Sequence, residues 1–226
     1  VYINNPKIGR MSIVSAEITK IAINSYITTK ISFANMLGNI CERVEGAEID
    51  KITEAMGADR RIGRYYLRYG AAYGGPCFPR DNKAFSHFTD SFVKIKALIP
   101  ESAHKTNDFQ TEFLTNKIQK ILKENKIKNI SILGLAYKPN TYVIEESASI
   151  KLIKNLLEKN KNLEITVYDP ISLTLEETKK IFGNKINYAK SLKIASKSDL
   201  IVAMLPYKEF SAVKNKNKII LNLWRI

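Results

Sequence analysis

The residues best equipped for chemistry lie together in Gly74-Gly75-Pro76-Cys77-Phe78-Pro79-Arg80-Asp81. Two glycines precede the cysteine; glycine opens backbone conformations closed to other residues and lets a ligand approach closely. Pro76 and Pro79 fix φ on either side of the thiol and remove two N–H donors. A segment punctuated in this way is a loop or a helix start. It presents one thiol at a defined place, with a cation (Arg80) and a carboxylate (Asp81) within a turn. The thiolate is the reactive form of cysteine, and nearby positive charge favours it, so the pattern suits nucleophilic catalysis. A buried structural cysteine in a tight turn is the plainer alternative.

A second group must be delivered by a helix. Met11–Val44 reads as one long helix, with Ser12 able to cap it and Gly46 just past its end. Ile13, Val14, Ile18, Ile21, Ile27, Ile31 and Leu37 recur close to helical period. Against them runs Glu17, Lys20, Asn24 and Thr28, three or four apart and therefore on one face. A Lys and an Asn one turn apart can aim two donors at a single oxygen, as stabilising an oxyanion requires. A solvated face is the other reading of the same stripe.

The remaining elements divide in two. Ile49–Met56 reads as a short helix, Lys83–Ile99 as one or two more, and Glu101–Asn125 as a long amphipathic helix with Phe109, Phe113, Leu114, Ile118, Ile121 and Leu122 on its apolar face. From Lys126 the period changes. Strands at Lys128–Leu133, Ile165–Tyr168, near Ile186, Leu200–Leu205 and Ile219–Leu223 alternate with helices at Ser147–Lys159, Leu175–Phe182, Leu192–Ala195 and a short one before the last strand. The expected fold class is α/β: an all-helical domain over 1–100, a connecting helix over 101–125, and a Rossmann-like, doubly wound parallel sheet over 126–226. Ligands of such sheets sit at the carboxyl ends of the strands. The first strand ends Gly134-Leu135-Ala136-Tyr137-Lys138-Pro139-Asn140-Thr141, one glycine where a dinucleotide cradle needs three. Lys138 is placed to meet a phosphate or sugar, or is one surface lysine among many.

Composition narrows the partners. The net charge of +14 is spread over both halves and concentrated in no tail. Basic residues are not interleaved with aromatic ones as a nucleic-acid stacking platform would require. A Lys-rich solvated surface is expected instead, one that attracts an anionic substrate. The two cysteines, Cys41 and Cys77, have no Cys-x-x-Cys spacing, and His87 and His104 complete no metal set. A reduced, cytoplasmic setting fits best. The longest apolar run, near Ile130–Tyr137, is too short to span a bilayer. No metal, nucleic-acid or membrane partner is expected.

Several of these stretches resemble one family. Tyr-Gly-Gly-Pro-Cys-Phe-Pro-Arg-Asp, ending at Asp81, resembles the active-site loop of the UDP-glucose/GDP-mannose dehydrogenase family, nucleotide-sugar 6-dehydrogenases that oxidise a sugar CH2OH to a carboxylate with NAD+ and a cysteine thioester. Ala-Glu-Ile-Thr-Lys-Ile-Ala-Ile-Asn is similar to the family's central helix, whose Lys and Asn match Lys20 and Asn24. Gly57 to Gly63 resembles a Gly-x-Asp-x-Arg-Ile-Gly segment, so Arg61 is implied to reach the substrate of a partner subunit. Tyr66-Leu67-Arg68-Tyr69-Gly70, together with Gly74, resembles the loop that holds the sugar. Leu-Gly-Leu-Ala-Tyr-Lys-Pro-Asn-Thr resembles the start of the UDP-binding domain and implies a substrate contact for Lys138.

The resemblance implies a UDP-sugar substrate, NAD as cofactor with Arg80 against it, and a homodimer through the central helices. It implies that Cys77 attacks an aldehyde, Lys20 and Asn24 stabilise the oxyanion, and Asp81 positions or activates the water that hydrolyses the thioester. One departure stands out: Glu145 occupies a position where many members carry an Arg that touches the cofactor. Members also begin with a glycine-rich Rossmann domain that has no counterpart here, so the chain reads as a C-terminal part, inactive alone, with Leu221–Ile226 resembling the last strand. UDP-N-acetylmannosamine or GDP-mannose oxidation, or a non-catalytic nucleotide-sugar-binding module, are the competing expectations.

Overall fold

The computed structural model describes residues 7–213 and 217–224; Arg225 and Ile226, at the end of the expected last strand, lie outside it. Helix α1 runs Ile13–Cys41, and the Ser12 side chain caps it by accepting from the Ser15 N–H. It stops short of Val44 because the chain turns at once, the Glu42 N–H closing on the Gly38 carbonyl and the Arg43 N–H on that of Ile40.

The face that α1 turns inward is small and polar. Ser25, Thr28, Ser32, Ala34, Asn35 and Gly38 are buried, while Ile13, Val14, Ile18, Ile23, Tyr26, Phe33, Met36 and Ile40 are exposed. Of the expected apolar stripe, Ile13, Val14 and Ile18 are exposed while Ile21, Ile27, Ile31 and Leu37 are half-buried, and Thr28 lies inside instead of on a solvated face. The reason lies in the neighbours. Ser32 donates to the Ala103 carbonyl, Asn39 to the Gln110 side chain, and Gly38 leaves just enough room for the Tyr69 ring.

Helix α2 spans Ile49–Ala58 and α3 spans Phe78–Phe88, followed by a π-helical turn at Thr89–Val93. Helix α4, Leu98–Glu124, starts earlier than expected and carries Pro100 in its first turn, where a missing N–H costs nothing. Along one side α4 buries Ala103, Asn107 and Gln110 beneath α1 and the loop before Cys77. Farther along it buries Leu114, Ile118 and Leu122 in the core of the second unit. Burial of such side chains stabilises by about 1.5–3 kcal/mol each, so α4 ties the two units together firmly.

The second unit is a five-stranded, all-parallel sheet in the order β3-β2-β1-β4-β5. The strands are β1 Asn129–Leu133, β2 Glu164–Tyr168, β3 Asn187–Tyr188, β4 Leu200–Ala203 and β5 Ile219–Asn222. Four helices join them: α5 Ala148–Lys159, α6 Ser172–Phe182, α7 Leu192–Ala195 and α8 Lys208–Ser211. Ile130, Ile132, Ile165, Val167, Leu200 and Val202 pack on one face against α4 and α5, and Ile201 and Ala203 on the other against Ala195 and Phe210. The doubly wound α/β class read from the alternating pattern is the fold observed. Among the described residues no helix is long and apolar enough to cross a membrane.

Candidate active site

The stretch from Tyr66 to Cys77 has no regular secondary structure, yet much of it is buried. Buried backbone must find partners. Side-chain amides from α1 and α4 supply them. The Gly70 N–H donates to Asn35 Oδ1 at 2.9 Å and the Gly70 carbonyl accepts from Gln110 Nε2 at 2.8 Å. The Tyr73 N–H and carbonyl both engage Asn107. The Tyr73 ring packs edge-on against Phe78, and its phenol, pushed up to about 12 by burial, accepts from Asn82.

Gly74 and Gly75 then press against the second unit. A Cβ on Gly74 would sit 2.2 Å from the Glu146 carbonyl oxygen, and one on Gly75 (φ +86°) would sit 2.5 Å from the Tyr137 ring. The Gly75 N–H donates to the Glu145 carbonyl at 3.0 Å. Only glycine permits this approach. The chain emerges at Cys77, exposed at the N-cap position of α3.

Asp81 lies in the first turn of α3 and is 4% exposed. Its Oδ2 accepts from Lys20 Nζ at 2.5 Å and from Asn24 Nδ2 at 2.7 Å, while Oδ1 accepts from the Arg80 guanidinium at 3.2 Å. Lys20 and Asn24 thus converge on a single oxygen, as their spacing allowed, and here that oxygen belongs to Asp81. Burial pushes the Asp81 carboxyl up, but the hydrogen bonds from Lys20, Asn24 and Arg80, with the charge of Lys20, outweigh it and hold the group below its ordinary value.

These elements enclose a cavity of about 520 Å³ at the carboxyl ends of the strands. Cys77, Asn24, Tyr66, Arg68, Gly74 and Lys138 line it, together with Tyr73, Tyr137, Met204 and Trp224. Lys138 Nζ lies 5.4 Å from the Tyr137 ring centroid. At the turn after β1, the Leu135 N–H donates to the buried Asp169 carboxylate, which burial pushes up despite its backbone hydrogen bonds.

Two stretches of the chain match models of one family. Residues 14–109 match the central domain of the UDP-glucose/GDP-mannose dehydrogenase family and residues 131–226 its UDP-binding domain. The chain belongs to this family. It is 34% identical over 214 residues to the UDP-glucose 6-dehydrogenase of Rickettsia bellii (strain RML369-C), covering 93% of this chain and 48% of that protein. It is 36% identical over 210 residues to the UDP-glucose 6-dehydrogenase TuaD of Bacillus subtilis (strain 168), covering 89% and 43%. The chain therefore spans about half the length of the curated relatives it matches. Among solved structures, a UDP-glucose dehydrogenase from the hyperthermophilic archaeon Pyrobaculum islandicum superposes with a TM-score of 0.83 at 27% identity, over 93% of this chain and 48% of that one. The UDP-N-acetyl-mannosamine dehydrogenase Cap5O from Staphylococcus aureus shares the fold, with a TM-score of 0.70 at 18% identity, over 95% of this chain and 51% of that one.

Not every residue singled out from the family resemblance meets the cavity. Leu67, Tyr69 and Gly70 are buried and, like Lys20 and Asp81, do not line it, the Tyr69 hydroxyl donating to Glu42 at 2.7 Å. Arg61 is exposed and pairs with Asp59 at 2.6 Å, away from the cavity lining. Arg80 faces a second cavity of about 480 Å³ behind the Cys77 loop, shared with Lys83, His87, Glu145 and Glu146. Glu145, which stands where the resemblance leads one to expect an Arg, lines the same cavity as Arg80. Glu146 is pulled below its ordinary value by its hydrogen bond from Lys151. Among the described residues no cluster of His, Cys, Asp and Glu could hold a metal ion. Asn35, Asn107, Gln110 and Trp224 carry the site without any mark in the spacing. The three amides are polar residues inside helical runs, a signal that a buried partner could have explained.

Proposed function

We propose that this chain forms the substrate-binding and covalent-catalytic part of a nucleotide-sugar 6-dehydrogenase acting on a UDP-sugar, UDP-glucose above the others. One observation carries the reading: Cys77, Asn24 and Lys138, from three elements in two units, line one cavity at the ends of the strands. The UDP-binding match over 131–226 and the UDP-glucose names of the relatives support the choice of substrate.

Lys138 holds the anionic diphosphate by charge-assisted hydrogen bonds. With the sugar's C6 at the aldehyde level, the Cys77 sulfur adds to that carbon. The carbonyl electron pair moves to oxygen, which takes up the thiol's proton as the thiohemiacetal forms. Lys20 and Asn24 donate to that oxygen, and Asp81 orients both donors from behind. At the thioester level, water adds to the carbonyl and the Cys77 sulfur leaves. Asp81, held as an anion by Lys20, Asn24 and Arg80, positions or activates that water, whose proton leaves with the Cys77 sulfur. Two NAD+ molecules bound in turn would each take one hydride from C6. Arg80 and Lys83 suit the cofactor's phosphates, and the Glu145 carboxylate on the same wall suits a ribose hydroxyl. The turn after β1 has one glycine and supplies no cradle for a dinucleotide.

The chain pairs with a second copy through the exposed apolar side of α1, and Arg61 extends toward that copy's cavity. The test is calorimetric titration of the chain with UDP and, separately, with NAD+, alongside alkylation of Cys77. UDP binding, weak or absent NAD+ binding, and slower alkylation of Cys77 in UDP-glucose are expected. NAD+ binding without UDP binding overturns the assignment.

A further inference from the structure

One aromatic side chain in the cavity wall has no part in the mechanism above. Trp224, the sole tryptophan of the chain, follows β5 and lines the cavity half-buried. Its indole Nε1 donates to the Met204 carbonyl at 2.7 Å. Its own carbonyl accepts from Arg68 Nη2 at 2.6 Å, and the Arg68 guanidinium lies 6.0 Å from the ring centroid. On another side the six-membered ring meets Gly70, where a Cβ would come within 3.2 Å. Met204 follows β4, whereas Arg68 and Gly70 belong to the loop before Cys77. A ring fixed from two units is preorganised and loses little freedom when a ligand meets it.

The strand order places this ring along the cavity. Tyr137 and Lys138 leave β1, Met204 leaves β4 and Trp224 leaves β5, in neighbouring positions β1-β4-β5. Adjacent strands lie about 4.8 Å apart, so Trp224 stands on the order of 10 Å along the sheet from the β1 end. Cys77 belongs to the β1 end, because Gly75 lies against the Tyr137 ring. A nucleotide sugar with its reacting carbon at Cys77 must extend its diphosphate past Lys138. Its base, the part farthest from that carbon, then arrives where the wall is Trp224.

We propose that Trp224 is the platform for the base: its indole stacks on the pyrimidine of the UDP moiety, with Arg68 holding the ring in place. This rests on the reading of the cavity as a nucleotide-sugar site. Stacking of one base on one aromatic ring is worth about tenfold in affinity.

Because the chain has one tryptophan, its emission reports the contact directly. Titration with UDP is expected to quench that emission saturably, with the midpoint found by calorimetry. Glucose 1-phosphate, which has no base, is expected to leave the emission unchanged. Trp224→Leu is expected to weaken UDP binding by about tenfold, and Trp224→Phe to stay within about threefold. Thermal unfolding identifies a Leu variant that fails to fold; the emission comparison between UDP and glucose 1-phosphate then decides. UDP that binds by calorimetry with emission unchanged, or quenching by glucose 1-phosphate equal to that by UDP, overturns the platform and leaves the nucleotide-sugar site standing. A Phe variant as weak as the Leu variant also overturns it, assigning the Nε1 hydrogen bond a structural role alone. Absence of UDP binding to the parent chain overturns both readings.

Discussion

The Asn107 side chain satisfies both backbone groups of Tyr73: its Oδ1 accepts the Tyr73 N–H at 2.7 Å and its Nδ2 donates to the Tyr73 carbonyl at 2.9 Å. The amide stands in for a neighbouring strand just before Gly74. Asn107 is 2% exposed, so water has no ready access to take its place. Asn107→Ala strands two buried groups at about 1–3 kcal/mol each, and a total loss of about 2–6 kcal/mol is expected in denaturant unfolding. A variant that unfolds at the parent's denaturant midpoint would mean that the amide does not hold the loop.

The next two residues allow a graded test. Gly74→Ala forces a methyl onto the backbone oxygen of Glu146, which cannot swing aside as a side-chain tip would. Overpacking of this kind costs about 1–3 kcal/mol. Gly75→Ala adds the strain of φ +86° to a clash with the Tyr137 ring. Gly46 supplies the control: its φ is +77°, but nothing lies within 4 Å of an added Cβ. Gly46→Ala is therefore expected to lower the melting temperature least and to leave UDP affinity unchanged. The two loop variants should lower both. An effect of Gly75→Ala no larger than that of Gly46→Ala would mean that strain alone, and not the junction between the units, limits Gly75.

The parallel sheet was legible because the longer strands are short runs rich in β-branched residues and the crossovers are helical, as in Asn129–Leu133 followed by Ala148–Lys159. The Cys77 loop was legible because glycine and proline restrict or free the backbone locally. The inward face of α1 was not. Period identifies a stripe but not its partner, and Ser25, Thr28 and Asn35 are buried because Asn82 and Gly70 happen to offer them hydrogen bonds. The same limit hid Trp224. Its place in the cavity depends on β5 lying beside β4 and on Arg68, far away in the chain, reaching its carbonyl.

Asp81 gives the site a pH signature. Its folded value lies below its unfolded one, so the stabilisation is fully present above the ordinary carboxylate value, about 3.9, and is lost as pH falls through the lower folded value. Lys20 and Arg80 are both more than half exposed, which discounts their charges. About 2 kcal/mol at neutral pH is a fair expectation for the buried, hydrogen-bonded carboxylate. Asp81→Asn cannot ionise. Its deficit in melting temperature should be largest near neutrality and should close as the pH is lowered below the carboxylate range. A deficit that stays constant with pH would mean that Asp81 acts through shape and not through charge.

The outward face of α1 carries Ile23, Tyr26, Phe33, Met36 and Ile40, all exposed and spaced so that they fall along one side of the helix. A contiguous apolar surface of this kind marks an interface. In a two-fold dimer each residue is used twice, so a charge in place of Phe33 is felt on both copies. Exclusion of one large apolar side chain is worth about 1.5–3 kcal/mol, and two together correspond to at least a hundredfold in the dimer dissociation constant. Sedimentation equilibrium of the parent chain at micromolar concentration should therefore give the dimer mass, and Phe33→Asp the monomer mass. A parent chain that sediments as a monomer removes the partner copy from the proposal, and with it the role of Arg61. A Phe33→Asp variant that remains dimeric moves the interface to another face.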